Sequence, residues 1–180
     1  IFQLYVHGDW SWVENILTRV KMAGYSALCL TVDTAHYSRR ERPMLSRWVP
    51  PSKRNRGDYN RTHLAKLTWD SISKIKELSD LPFMLKGIAT PEDAKIAIQH
   101  DIDAIWISNH GGRQLDHGQG TMEILSEIVD VVQGKAEIIL DGGVLRGSDV
   151  AKAVALGAKA VAIGKLQGWG LGAAGTDGLV

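Results

Sequence analysis

Short apolar runs alternate with amphipathic stretches along nearly the whole chain. The runs are IFQLYV (1–6), SALCLTV (26–32), PFMLKGI (82–88), DAIWIS (103–108), AEIILD (136–141) and AVAIG (160–164). Runs this short, rich in Ile, Leu and Val, predict strands buried on both faces. Between them the apolar spacing predicts helices over 10–23, 69–79, 91–100, 121–132 and 147–156, with another beginning after Gln167. Pro91 and Glu92 suit the start of the third. Ser148 is the expected cap of the fifth, Asp149 suits its first turn, and Gly157 its end.

Strand and helix in strict alternation predict a parallel sheet with right-handed crossovers. Either an open doubly wound sheet or a (β/α)8 barrel satisfies that pattern. Polar residues recur where the apolar runs end: Gln3 and Tyr5, Thr31 and Asp33, Lys86, His110, Asp141, Gly164 and Lys165. In a barrel these ends meet on one face. In an open sheet they lie along a line, and only those at the switch point meet. The barrel is therefore expected, as a single domain over 1–180. Six strand–helix units are present where a closed barrel has about eight, so the chain reads as a piece of a longer protein supplying the C-terminal units.

Residues 34–66 break the rhythm. They are basic, contain Pro43, Pro50 and Pro51, and lack periodicity. A connection that long is commonly a lid or binding loop. Their charge does not extend to the rest of the chain: over the whole sequence 21 Lys and Arg stand against 20 Asp and Glu, a net charge of +1. No basic field for nucleic acid exists, and the aromatics are not interleaved with basic residues. No stretch approaches the ~18 apolar residues of a membrane span. The single cysteine, Cys29, lies in an apolar run and reads as a buried hydrophobe. A soluble, cytoplasmic protein is expected.

The candidate chemistry sits at the strand ends. His110 stands beside Gly111 and Gly112, which let a ligand approach the backbone. Arg113, three residues on, is suited to clamp a carboxylate. Asp33, ending another run, can orient the imidazole of a general base. Lys86 follows PFML, so its stem is buried and its ammonium needs an anionic or electron-rich partner. It is either a Schiff-base nucleophile or a cation beside an electron-accepting cofactor. Gly142, Gly143 and Gly147 lead into a helix N-terminus, an arrangement that binds anions. The histidines show no metal-ligand spacing, and neither a P-loop nor a nucleophile elbow is present.

The stretch ISNHGGRQLD resembles the active-site signature of the FMN-dependent 2-hydroxy-acid oxidases and dehydrogenases, the family of glycolate oxidase, lactate oxidase, mandelate dehydrogenase and flavocytochrome b2. FQLYV, LTVDT followed by RRE, LKGI, and DGGVLRGSDVAKAVALGA with IGK are similar to its other blocks, in order and over essentially the whole chain. The resemblance implies FMN as cofactor and oxidation of an (S)-2-hydroxy acid to the 2-oxo acid. It implies His110 as base with Asp33 behind it, Arg113 and Arg40 on the substrate carboxylate, and Tyr5 on a substrate oxygen. It implies Gln3, Thr31 and Ser108 near the flavin, Lys86 at its N1 edge, and Asp141 at the ribityl chain. Gly143, Gly164 and Lys165, with Arg146, would surround the phosphate. Partners are a small 2-hydroxy acid and further copies of the chain, with the electron acceptor open. The family carries arginine where Leu145 and Lys165 stand here, and aspartate where Pro43 stands. A flavin-dependent isopentenyl diphosphate isomerase would share the phosphate loop but gives the His110–Arg113 pair no purpose. A truncated barrel without activity is the other alternative.

Overall fold

The computed structural model describes residues 1–36, 40–49 and 62–180. Six strands form one parallel sheet: β1 (Phe2–Leu4), β2 (Leu28–Thr31), β3 (Phe83–Ile88), β4 (Ala104–Ile107), β5 (Glu137–Leu140) and β6 (Ala160–Val161). Each strand pairs only with its sequence neighbours, in the order β1-β2-β3-β4-β5-β6. A doubly wound sheet reverses direction at its switch point. This one never does, so it is an arc of a (β/α)8 barrel, with β1 and β6 at its two edges.

Helices α1 (Trp10–Met22), α4 (Trp69–Ser79), α5 (Pro91–Gln99), α6 (Thr121–Val132) and α7 (Gly147–Ala155) follow successive strands. Their starts carry side-chain oxygens that satisfy otherwise orphaned amides. Asp9 accepts from Trp12 N at 3.0 Å, Thr68 from Ser71 N at 3.2 Å and Thr90 from Asp93 N at 3.1 Å. At α7 the expectation of Ser148 as cap is corrected. Arg146 holds the cap position, and the Asp149 carboxylate reaches back to the amides of Leu145 and Arg146 at 3.1 and 3.0 Å. Those two hydrogen bonds pull the Asp149 pKa below the usual carboxylate value. The final helix, α8 (Lys165–Ala174), starts before Gln167, separated from the end of β6 by three residues, and a short 3-10 turn (Gly175–Gly178) follows it.

Among the described residues of 34–66, two short helices lie outside the periodicity reading: α2 (Glu41–Leu45) and α3 (Thr62–Ala65). Each is too short for a hydrophobic stripe to repeat. Residues 37–39 and 50–61 of that basic segment lie outside the described residues.

Alternation along the strands gives the sheet two unlike faces. Leu4, Leu28, Leu30, Phe83, Leu85, Ile105, Ile107, Ile138 and Leu140 pack with Val13, Leu17, Ile75, Ile124, Leu125 and Ile128 of the helices. Each such fully buried side chain stabilises the fold by roughly 1.5–3 kcal/mol. The opposite face carries a small cluster of Cys29, Met84 and Ala104 with Trp106 and Ile139. Above that cluster the same face turns polar. The change comes within two residues, at Thr31, Lys86 and Ser108.

Candidate active site

The register of β3 breaks between Lys86 and Ile88, opposite Trp106 and Ile107. Gly87 is the extra residue, at φ +109. A side chain there would stand 2.6 Å from the Asp33 Cβ. The bulge therefore does two things. It returns Ile88 to the helix-facing core, and it lets the end of β2 bring Asp33 against β3.

At the end of β4, Ser108 is fully buried. Its Oγ accepts from Lys86 Nζ at 3.0 Å and from the backbone N–H of His110 at 3.1 Å. The second bond folds the chain back so that His110 adopts φ 56, followed by Gly111 at 65 and Gly112 at 69. Three successive left-handed residues would be costly without the two glycines. The turn carries the His110 ring to Asp33, with Nδ1 3.0 Å from Oδ1 and 3.2 Å from Oδ2. Asn109 steadies the turn from the other side. Its Oδ1 accepts from Gly112 N, and its Nδ2 donates to Gln119 O, both at 3.3 Å.

Lys86 is 8% exposed, and its Nζ also lies 3.1 Å from Asp141 Oδ2. The carboxylate and the hydroxyl are the polar partners that a buried ammonium needs. Of the two chemistries open to it from its position, this pairing suits the fixed cation, since both partners hold Nζ in place. The Asp141 carbonyl accepts from Thr121 Oγ1 at 2.6 Å. Gly142 (φ +97) then passes close to Asn109 and Thr121, where a Cβ would meet Asn109 Oδ1 at 3.0 Å. Gly143 (φ +74) faces open space.

On β1, Gln3 Nε2 donates to Thr31 Oγ1 at 2.8 Å and to Tyr5 Oη at 3.2 Å. Beyond β2, Arg40 donates through Nε (3.2 Å) and Nη2 (2.8 Å) to the carbonyl of Arg113. Burial, and then the positive charge of Arg113, lower the Arg40 pKa from the usual arginine value. Two guanidinium groups thus lie close enough to repel.

A single cavity of about 890 Å³ gathers these groups. Gln3, Tyr5, Lys86, His110, Arg113, Asp141, Gly143, Gly164 and Lys165 all line it. Thr31, Asp33, Ser108 and Arg40 do not, but each bonds directly to a residue that does. Arg146 does not line it either; it stands at the α7 cap, next to Leu145, which does. Trp106, Asn109 and Trp169 line the cavity without having been singled out. Trp106 was legible: it lies two residues before Ser108, on the same strand face. Trp169 lies in a segment of mixed character and carried no signal.

A parallel α/β arc with a flavin-sized cavity at the carboxyl ends of its strands, holding a carboxylate-backed histidine and a buried lysine, defines a cofactor-dependent barrel. The chain belongs to the FMN-dependent dehydrogenase family, whose model matches residues 1–180. It is 40% identical to an L-lactate oxidase from Nostoc sp. and to 2-Hydroxyacid oxidase 2 from Homo sapiens, with 99% of the chain covered in both cases. It spans about half the length of these relatives, 54% of each. Among solved structures, a mandelate oxidase aligns with TM-score 0.89 at 40% identity, over 99% of this chain and 54% of that one. A Pediococcus acidilactici lactate oxidase aligns with TM-score 0.88 at 38% identity, over 99% and 51%. Among the described residues no helix is long and apolar enough to cross a membrane.

Proposed function

We propose that the full-length protein oxidises a small (S)-2-hydroxy acid to the 2-oxo acid with FMN. The observation that carries this reading is the shared cavity: a base, a carboxylate-binding cation, a buried ammonium and a bare glycine turn open into one space. Removing two electrons and two protons from a hydroxy acid needs a carboxylate anchor, a base and an electron acceptor. Side chains do not supply the acceptor; FMN, when bound, takes the two electrons.

The residues present fit such a group. The cavity volume lies within the range of about 300–1,000 Å³ typical of cofactor sites. Gln3, Thr31, Lys86 and Ser108 would hold the ring, Lys86 placing its positive charge at the N1 edge. Asp141 would meet the ribityl chain. Gly143 and Gly164, with no atom within 4 Å of where a Cβ would stand, leave room for a phosphate, with Lys165 bordering it.

Arg113, with Arg40, holds the substrate carboxylate. An anion between the two guanidiniums relieves their repulsion, which favours an acid substrate over a neutral alcohol. Tyr5 donates to the substrate oxygen. His110 takes one proton from substrate, and Asp33 stabilises the resulting imidazolium across the 3.0 Å contact. The same base serves whether the carbon hydrogen leaves as hydride or as proton. A homo-oligomer and a cytoplasmic location belong to the same proposal. The test is anaerobic titration of the full-length flavoprotein with glycolate, L-lactate and (S)-mandelate. Bleaching of the flavin absorbance by at least one acid is expected; an unbleached flavin with all three overturns the reading.

A further inference from the structure

The loop 110–113 is held from outside at two carbonyls. Arg40 takes the carbonyl of Arg113, and Lys165 takes that of Gly111 through its Nζ. Lys165 opens α8 just beyond β6, and its side chain reaches to the loop after β4. Gly111, at φ +65, lets the lysine lie close against the backbone: a Cβ there would meet the Lys165 Cε at 3.1 Å and Nζ at 3.3 Å, so the lysine tip would have to give by a few tenths of an ångström. Three residues in left-handed geometry make no regular strand or helix bonds of their own, and a charged donor on their carbonyl is a strong tether for its size. Lysine is also a point charge, not the planar fork that grips a phosphate through two bonds.

We propose that Lys165 is a positioning residue: its ammonium ties the loop carrying His110 and Arg113 to the end of β6, and it contributes to substrate alignment more than to holding a phosphate. This rests on the FMN reading for its catalytic consequence, while the tether itself is a property of the polypeptide.

The test compares the full-length protein with Lys165→Met and Lys165→Arg. In the flavin-free proteins, amide exchange at Gly112, the N–H following the tethered carbonyl, should quicken about tenfold in Lys165→Met, matching one lost charge-assisted hydrogen bond. With flavin restored, FMN affinity should stay within about fivefold, the reach of one exposed charge. The substrate KM should rise and kcat fall together, and Lys165→Arg should recover both with the slow exchange. Loss of FMN affinity by more than about tenfold with Gly112 exchange unchanged would make Lys165 a phosphate ligand and overturn the proposal. Unchanged exchange with unchanged affinity overturns it equally. If the wild type takes up no flavin, the function proposed above fails, and the flavin-free exchange still decides the tether.

Discussion

His110 Nδ1 and Asp33 Oδ1 stand 3.0 Å apart across 77 residues of sequence. The carboxylate holds one ring nitrogen and leaves the other, Nε2, for the role proposed above. Asp33→Asn keeps the shape and removes the charge that stabilises the imidazolium. Its rate of flavin reduction should fall by roughly 10²–10⁴-fold, the usual contribution of a positioned acid–base group. His110→Gln should fall at least as far. Both variants should retain FMN, because neither side chain is assigned to the cofactor. Stopped-flow reduction alongside flavin content checks this, and parallel loss of flavin would remove His110 from the role of base.

Arg113 gives its carbonyl to Arg40 and its side chain to the cavity. Arg113→Lys preserves the backbone contact and the charge but loses the bidentate fork. The expected result is a fall in kcat/KM of about 10- to 100-fold, the cost of a weakened charge-assisted pair. The measurement is steady-state kinetics on the best acid from the titration. An unaltered kcat/KM would mean that the carboxylate is held elsewhere.

The strands and principal helices were legible because buried parallel strands and amphipathic helices leave different periods in the sequence. Observed strands are shorter at their ends than the apolar runs, as with β1 inside 1–6 and β6 inside 160–164, because both lie at the edges of the arc with one neighbour each. The convergence of Tyr5, Lys86, His110 and Asp141 followed from strand ends alone. Contacts that depend on side-chain reach did not. Nothing in spacing places the Lys165 ammonium on Gly111, or exchanges Ser148 for Asp149 at the α7 start. Helices α2 and α3 were invisible for a third reason: one turn of helix is set by local capping and context, not by a repeating stripe.

Gly87 is the hinge of the Asp33 placement. Gly87→Ala must hold an alanine at φ +109 and push its Cβ within 2.6 Å of Asp33. The expected cost is about 1–3 kcal/mol of stability from backbone strain, more if Asp33 cannot retreat. Catalysis should suffer beyond that loss, since retreat of Asp33 frees the His110 ring. Urea denaturation gives the first quantity and flavin reduction the second. Wild-type values for both would show that the bulge can reshape without moving Asp33.

Cys29 lies on the inner face, 1% exposed, beneath Lys86. Burial pushes its thiol up from 9.0 to about 12, with Asp141 adding to the rise and Lys86 opposing it. The native state therefore keeps its proton over a range where the unfolded chain has lost it. Stability falls with rising pH wherever the native state binds more protons, so this contribution is complete below about pH 9 and is lost as pH rises towards 12. The full effect is on the order of 4 kcal/mol, three pH units at 1.36 kcal/mol each. Iodoacetamide at pH 8.5 should leave the native thiol intact while modifying it readily in urea. Cys29→Ala should lose stability less steeply between pH 9 and 11 than the wild type, whatever its stability at neutral pH. Equal slopes, together with rapid labelling of the folded protein, would place the thiol in contact with solvent and remove it from the buried cluster with Met84 and Ala104.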